Sequence, residues 1–237
     1  MNCVPYVMLG AGMLSLSLFL FLRVKKGGAT AVAVKTLTSL FFMATGITAL
    51  FVNPGNLTWG LLIIFGMIFG LVGDIVLDVR IVYPDDADAW QATGMFSFLI
   101  GHIIFLIAIF LTLPAMGDKL WMVIVFPALI ALVAASGAVL GGPKMGLNYG
   151  KWKLVSFLYA LIGMFMVFTS GAAAIASGFA VKWIVMFVGA FLFIGSDLVL
   201  SQQYFGPAEK LKNPVLVIVN HAAYYFAQFL IALTILF

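Results

Sequence analysis

Two aspartates stand inside apolar runs. Asp74 lies in GLVGDIVLD, residues 70–78, and Asp197 in GAFLFIGSDLVLS, residues 189–201. A carboxylate in such company is costly unless a partner holds it or it keeps its proton. Two carboxyls meeting in a poorly hydrated site cannot both ionise cheaply, so one holds a proton while the other stays charged. A single site can then supply both an acid and a base. Other residues able to do chemistry are set in equally apolar surroundings: Lys35, His102, Tyr159, and the group Asn220, His221, Tyr224, Tyr225 and Gln228. Tyr224, Tyr225 and Gln228 follow His221 at helical spacing, which puts them on much the same face of a helix.

The elements that carry these residues follow from composition. The chain has 237 residues, of which 65% are hydrophobic and 8% charged, and its mean hydropathy is +1.21. Soluble domains carry about 25% charged residues. A chain this apolar is an all-α membrane protein. Eight apolar segments are each long enough to cross the hydrocarbon as a helix. They fall near 4–23, 31–52, 58–78, 92–113, 120–140, 154–175, 181–203 and 214–237, within one polytopic transmembrane domain over 1–237. They are too long and too uniformly apolar for barrel strands. The first run lacks a basic leader and a small-residue cleavage site, so it is expected to be a permanent span. The single cysteine, Cys3, excludes an internal disulfide.

Charge sets the orientation. Arg23, Lys25, Lys26, Arg80, Lys144, Lys151, Lys153, Lys210 and Lys212 fall in the odd-numbered loops, and only Lys119 and Lys182 on the other side. The positive-inside rule then places both termini outside the cytoplasm. The net charge of +4 reads as basic loops beside anionic lipid, not as a nucleic-acid surface. Asp78, Asp85, Asp86 and Asp88 in the third loop read as a solvated acidic stretch. In this frame Asp74, Asp197, Lys35, Tyr159, Asn220 and His221 all lie one or two turns from the cytoplasmic surface, and His102 lies near mid-membrane. Each ionisable group left in lipid would cost about 2.5–3.5 kcal/mol, so each should face protein and find a partner. Tyr159, Tyr225 and Gln228 could simply bond neighbouring helices. Lys35 could extend its stem to water, and His102 could be a structural histidine. The short aspartates have no such escape. Gly66, Gly70 and Gly73 form a small-residue face beside Asp74 that would admit a helix or a ligand.

Asp197 follows Asp74 by 123 residues, and at the same offset Gly66 meets Gly189, Val76 meets Val199 and Leu77 meets Leu200. The pattern admits a parallel four-plus-four internal repeat.

GLVGDIVLD, FSFLIGHIIF, LYALIGMFM, GAFLFIGSDLVLS and AYYFAQFLI occur in the order found in the YhhN-like membrane proteins, the lysoplasmalogenases, and over nearly the whole chain the sequence resembles that family. The resemblance implies eight spans and hydrolysis of the vinyl ether bond of lysoplasmalogens, lysoplasmenyl-choline or -ethanolamine, to a fatty aldehyde and a glycerophospho-base. It also implies that the motif aspartates, here Asp74 and Asp197, are the catalytic pair. Two positions depart from the family pattern: Thr36 follows Lys35 where proline is common, and Phe105 stands where tyrosine often follows the GH motif. The expected location is a bacterial cytoplasmic membrane, and the basic loops put the active site toward the cytoplasmic leaflet. Because many bacteria make no plasmalogens, a bacterial member could act on another ether or enol-ether lipid.

The chemistry of the residues agrees with that implication. A vinyl ether is cleaved by protonating its β-carbon, which creates an oxocarbenium ion. A carboxylic acid can give the proton, and a carboxylate can stabilise the cation and activate water, as in glycosidases. The reaction needs no metal or cofactor. The expected partners are membrane lipid and a lysophospholipid entering from the bilayer, its phosphate near Lys35, Lys151 or Lys153. No nucleic acid is expected, and no protein partner can be inferred. Two rival readings share the same residues. A proton-coupled transporter should have helices broken near the midplane. An intramembrane aspartyl protease should have glycine where this chain has Val72.

Overall fold

The computed structural model describes residues 3–113, 120–211 and 213–237, so Lys119 and Lys212 lie outside the described residues. Among the described residues, eight helices are long and apolar enough to cross a membrane: α1 Val4–Lys25, α2 Gly28–Val52, α3 Leu57–Val82, α4 Ala87–Thr112, α5 Leu120–Gly141, α6 Lys153–Ala176, α7 Val181–Tyr204 and α8 Pro214–Leu233. Among the described residues each runs unbroken through its span, α5 with Pro127 inside it. Many large apolar side chains point outward, among them Leu14, Phe51, Leu111 and Val133, as expected when lipid is the solvent.

The α3–α4 junction differs from expectation. Helix α3 continues to Val82 and α4 begins at Ala87, so Asp78 belongs to a helix and not to a loop. Hydropathy marks what tolerates lipid, whereas a helix persists as long as its backbone bonds do. Asp85, Asp86 and Asp88 are exposed, as expected of a solvated acidic stretch.

The contacts group into two compact units. One holds the described residues up to Leu111 together with Ile231–Phe237, and the other holds Thr112–Leu230.

In the first unit α2 packs against both α1 and α3. The α1–α2 turn is made by Gly27 and Gly28, both at positive φ (64° and 65°), where a side chain would be strained. Arg23 and Lys25 in the last turn of α1 suit its negative dipole end. Helix α4 buries a stripe of Gly94, Ser97, Phe98, Gly101, His102 and Phe105 at helical spacing. A Cβ on Gly101 would lie 3.0 Å from the Gly66 carbonyl oxygen, while Phe98 and Phe105 cover Gly73 and Gly66. Helix α4 therefore occupies the glycine face of α3 at Gly66 and Gly73. Ser97 adds a hydrogen bond to the Phe69 carbonyl at 2.7 Å. At the other end of the unit, Trp59 Nε1 donates to Thr234 Oγ1 at 3.0 Å.

In the second unit α6 packs against both α5 and α7. Phe193 of α7 meets Tyr224 of α8 edge to face. The α5–α6 connection is tied to the end of α7 by a bond from the Asn148 amide to the Phe205 carbonyl (2.7 Å). Tyr149 packs against Phe205 there with the two rings tilted, beside Val139 and Leu147, and burial pushes its phenol above the usual tyrosine value.

The internal plans of the units correspond. In each, the third helix carries the motif aspartate, the second contacts it, and the fourth donates a side-chain hydrogen bond to a carbonyl of the third. The donors of that last bond, Ser97 and Asn220, are themselves 123 residues apart, the offset that relates Asp74 to Asp197.

Candidate functional site

The residues able to do chemistry fall into one centre per unit. In the first unit, Lys35 and Ser39 lie one turn apart on α2, and Asp74 and Asp78 lie one turn apart on α3. Lys35 is 5% exposed, and Asp74 and Asp78 are 2% exposed each. Lys35 Nζ sits 3.2 Å from Asp74 Oδ1 and 3.2 Å from Asp78 Oδ1, and donates also to the Asp74 carbonyl at 3.2 Å. Ser39 Oγ donates to Asp74 Oδ2 at 2.7 Å. Arg23, from the end of α1, donates to Asp78 Oδ1 at 2.7 Å. Next to this group Ser15 and Thr38 hydroxyls bond α1 to α2 at 2.8 Å. Charge alternates along Arg23, Asp78, Lys35 and Asp74 and sums to zero.

Two expectations change here. Asp78 is not solvated: it is buried and paired with two cations, which makes its burial tolerable. Lys35 does not extend to water, because its ammonium is held between two carboxylates. Arg23, Ser39 and Asp78 are not among the site residues expected from the sequence. The i, i+4 spacings of Asp74 with Asp78 and of Lys35 with Ser39 were visible in it. The link from Arg23 to Asp78 spans 55 residues and belongs to the tertiary structure alone. His102, on the α4 stripe against α3, is fully buried.

In the second unit Asp197 is partly buried. Tyr159 Oη of α6 donates to its Oδ2 at 2.9 Å. Among the described residues no cation lies within ion-pair distance of Asp197. The adjoining residue is fixed by α8: Asn220 Nδ2 donates to the Ser196 carbonyl at 2.8 Å. His221 Nδ1 lies 2.8 Å from the Val217 carbonyl of its own helix, so that nitrogen carries the proton. Gln228 Nε2 donates to Tyr224 Oη at 3.1 Å, also within α8. Tyr225 is fully buried.

The two aspartates thus have different settings. Both oxygens of Asp74 receive donors, one from an ammonium and one from a hydroxyl, which is how an ionised carboxylate is held. Asp197 accepts one neutral hydroxyl.

The family model of the YhhN family matches residues 30–235, and the chain belongs to that family. No curated protein and no solved structure matches it.

Proposed function

We propose that this multi-pass membrane protein of the YhhN family hydrolyses the vinyl ether bond of lysoplasmalogens, releasing a fatty aldehyde and a glycerophospho-base. The observation that supports this most is the unequal setting of the two motif aspartates. The reaction needs one carboxyl to give a proton and one to remain charged. Asp197, with no cation beside it among the described residues, suits the donor. Asp74, held by Lys35 and Ser39, suits the carboxylate.

In this reading Asp197 protonates the β-carbon of the vinyl ether. The Asp74 carboxylate stabilises the oxocarbenium ion and takes a proton from the water that attacks it. The hemiacetal then collapses: its hydroxyl proton returns to Asp197, and the departing glycerol oxygen takes the proton held by Asp74. Both residues end as they began. Tyr159 leaves Asp197 Oδ1 as the oxygen that carries the proton. Lys35 is a positioning residue for Asp74 in this scheme, because at least three acceptors already surround its three N–H groups. Phosphate contact then falls to the exposed Lys151 and Lys153.

The helices run unbroken among the described residues, which does not favour a transporter with discontinuous spans. The direct test incubates purified protein in lipid vesicles with lysoplasmenyl-choline and follows the aldehyde by mass spectrometry. Aldehyde and glycerophosphocholine in equal amounts support the reading. Uptake of intact lysolipid without cleavage would replace it with transport.

A further inference from the structure

We infer that Asp78 is a positioning residue for the Asp74 centre, acting through Lys35, and that Arg23 keeps it in that role; the effect on rate rests on the hydrolase reading above. Asp74 and Asp78 occupy one face of α3, one turn apart, where two negative charges repel. Lys35 Nζ is equidistant from the two, 3.2 Å from an oxygen of each. A lysine bound to Asp74 alone would follow that side chain and place its full charge there. Shared with Asp78, it is fixed by two positions on a rigid helix. Asp74 Oδ1 is thereby aimed at Lys35 while Oδ2 takes the Ser39 hydroxyl.

Asp78 could not do this unaided, because one lysine between two carboxylates leaves a net negative charge in an apolar span. Arg23 supplies the missing cation. It binds the same Oδ1 that Lys35 approaches, at 2.7 Å, and its side chain is 11% exposed, so α1 is tied to the group. The order Arg23–Asp78–Lys35–Asp74 makes each internal charge the neighbour of two opposite ones. Arg23 therefore reaches Asp74 only through Asp78 and Lys35.

The test uses the full-length protein in vesicles, with Asp78→Asn, Asp78→Glu, Arg23→Gln and the Arg23→Gln/Asp78→Asn pair, each checked for folding by its melting transition. With a lysoplasmenyl lipid, Asp78→Asn should lower kcat by roughly tenfold or more and leave KM within about threefold, the signature of lost positioning and not of lost substrate contact. Asp78→Glu should recover much of that loss. The paired variant should be no slower than Asp78→Asn, because Arg23 acts through Asp78, and the two substitutions should couple in melting temperature. A folded Asp78→Asn protein with wild-type kcat would overturn the inference, as would losses at Arg23 and Asp78 that multiply. If the wild type cleaves no vinyl ether, that result alone removes the hydrolase reading. The melting cycle over Arg23 and Asp78 then decides separately: coupling supports the positioning network and additivity overturns it.

Discussion

Replacing Lys35 by methionine keeps an unbranched apolar stem and removes only the ammonium. Three contacts go at once: one to each carboxylate and one to the Asp74 carbonyl, all at 3.2 Å. Asp74 and Asp78 are left one turn apart, with Arg23 at 2.7 Å from Asp78 as the remaining cation. The buried group passes from neutral to a charge of −1. Removing one partner of a buried ion pair costs about 3–5 kcal/mol, because the other charge stays buried without compensation. In a chain of this size that corresponds to a fall in melting temperature of roughly 6–20 °C. Differential scanning fluorimetry in detergent measures it. The informative comparison is Lys35→Met/Asp78→Asn, which removes one charge of each sign and leaves Arg23 and Asp74 as the charges of the group. Neutrality returns, so the double variant should melt higher than the single one. A Lys35→Met protein that melts within about 2 °C of wild type, or a double variant that melts lower still, would refute the charge-balance argument.

Tyr159→Phe removes the hydroxyl that Asp197 accepts at 2.9 Å; a hydrogen bond of about 1–2 kcal/mol predicts a fall in kcat of roughly tenfold with KM little changed, read from initial rates on vesicles. Gly101→Val puts a side chain where even a Cβ would meet the Gly66 carbonyl at 3.0 Å, so it should destabilise the α3–α4 contact by about 1–3 kcal/mol, seen as a lower melting temperature; an unchanged transition would mean that α3 and α4 separate freely. With its basic residues biased to the odd-numbered loops, the chain should carry Phe237 on the non-cytoplasmic side, so a reporter active only in the cytoplasm and fused after Phe237 should be silent.

The eight helices were legible because each apolar run is long, and a hydrogen-bonded helix is the way such a run crosses hydrocarbon. Their ends were less so. A lone charge such as Asp78 reads as loop, yet its pairing with Arg23 and Lys35 lets α3 carry it within the helix. Gly66 and Gly73 were correctly read as a place of close approach, but residue types alone could not say whether a ligand or Phe98 and Phe105 of α4 would fill it. Lys35, Tyr159 and Asn220 were singled out as polar groups needing partners. Which partner each found depends on helix register. Asn220 in particular bonds a backbone carbonyl, Ser196, and a carbonyl is the same at every position of a sequence.

The measurement that tests the account most directly is turnover of a lysoplasmenyl lipid by Asp74→Asn, Asp197→Asn and the double variant, each reconstituted and shown to be folded by its melting transition. Asparagine keeps the size and most of the hydrogen bonding of aspartate but carries no titratable proton. If the two residues are the acid and the carboxylate of one reaction, each single variant loses at least about 10²-fold in kcat. The double variant then loses little more, because a unit that has lost one member has already failed. A folded Asp74→Asn or Asp197→Asn protein that turns over near the wild-type rate would contradict the account and leave that aspartate a structural link between helices.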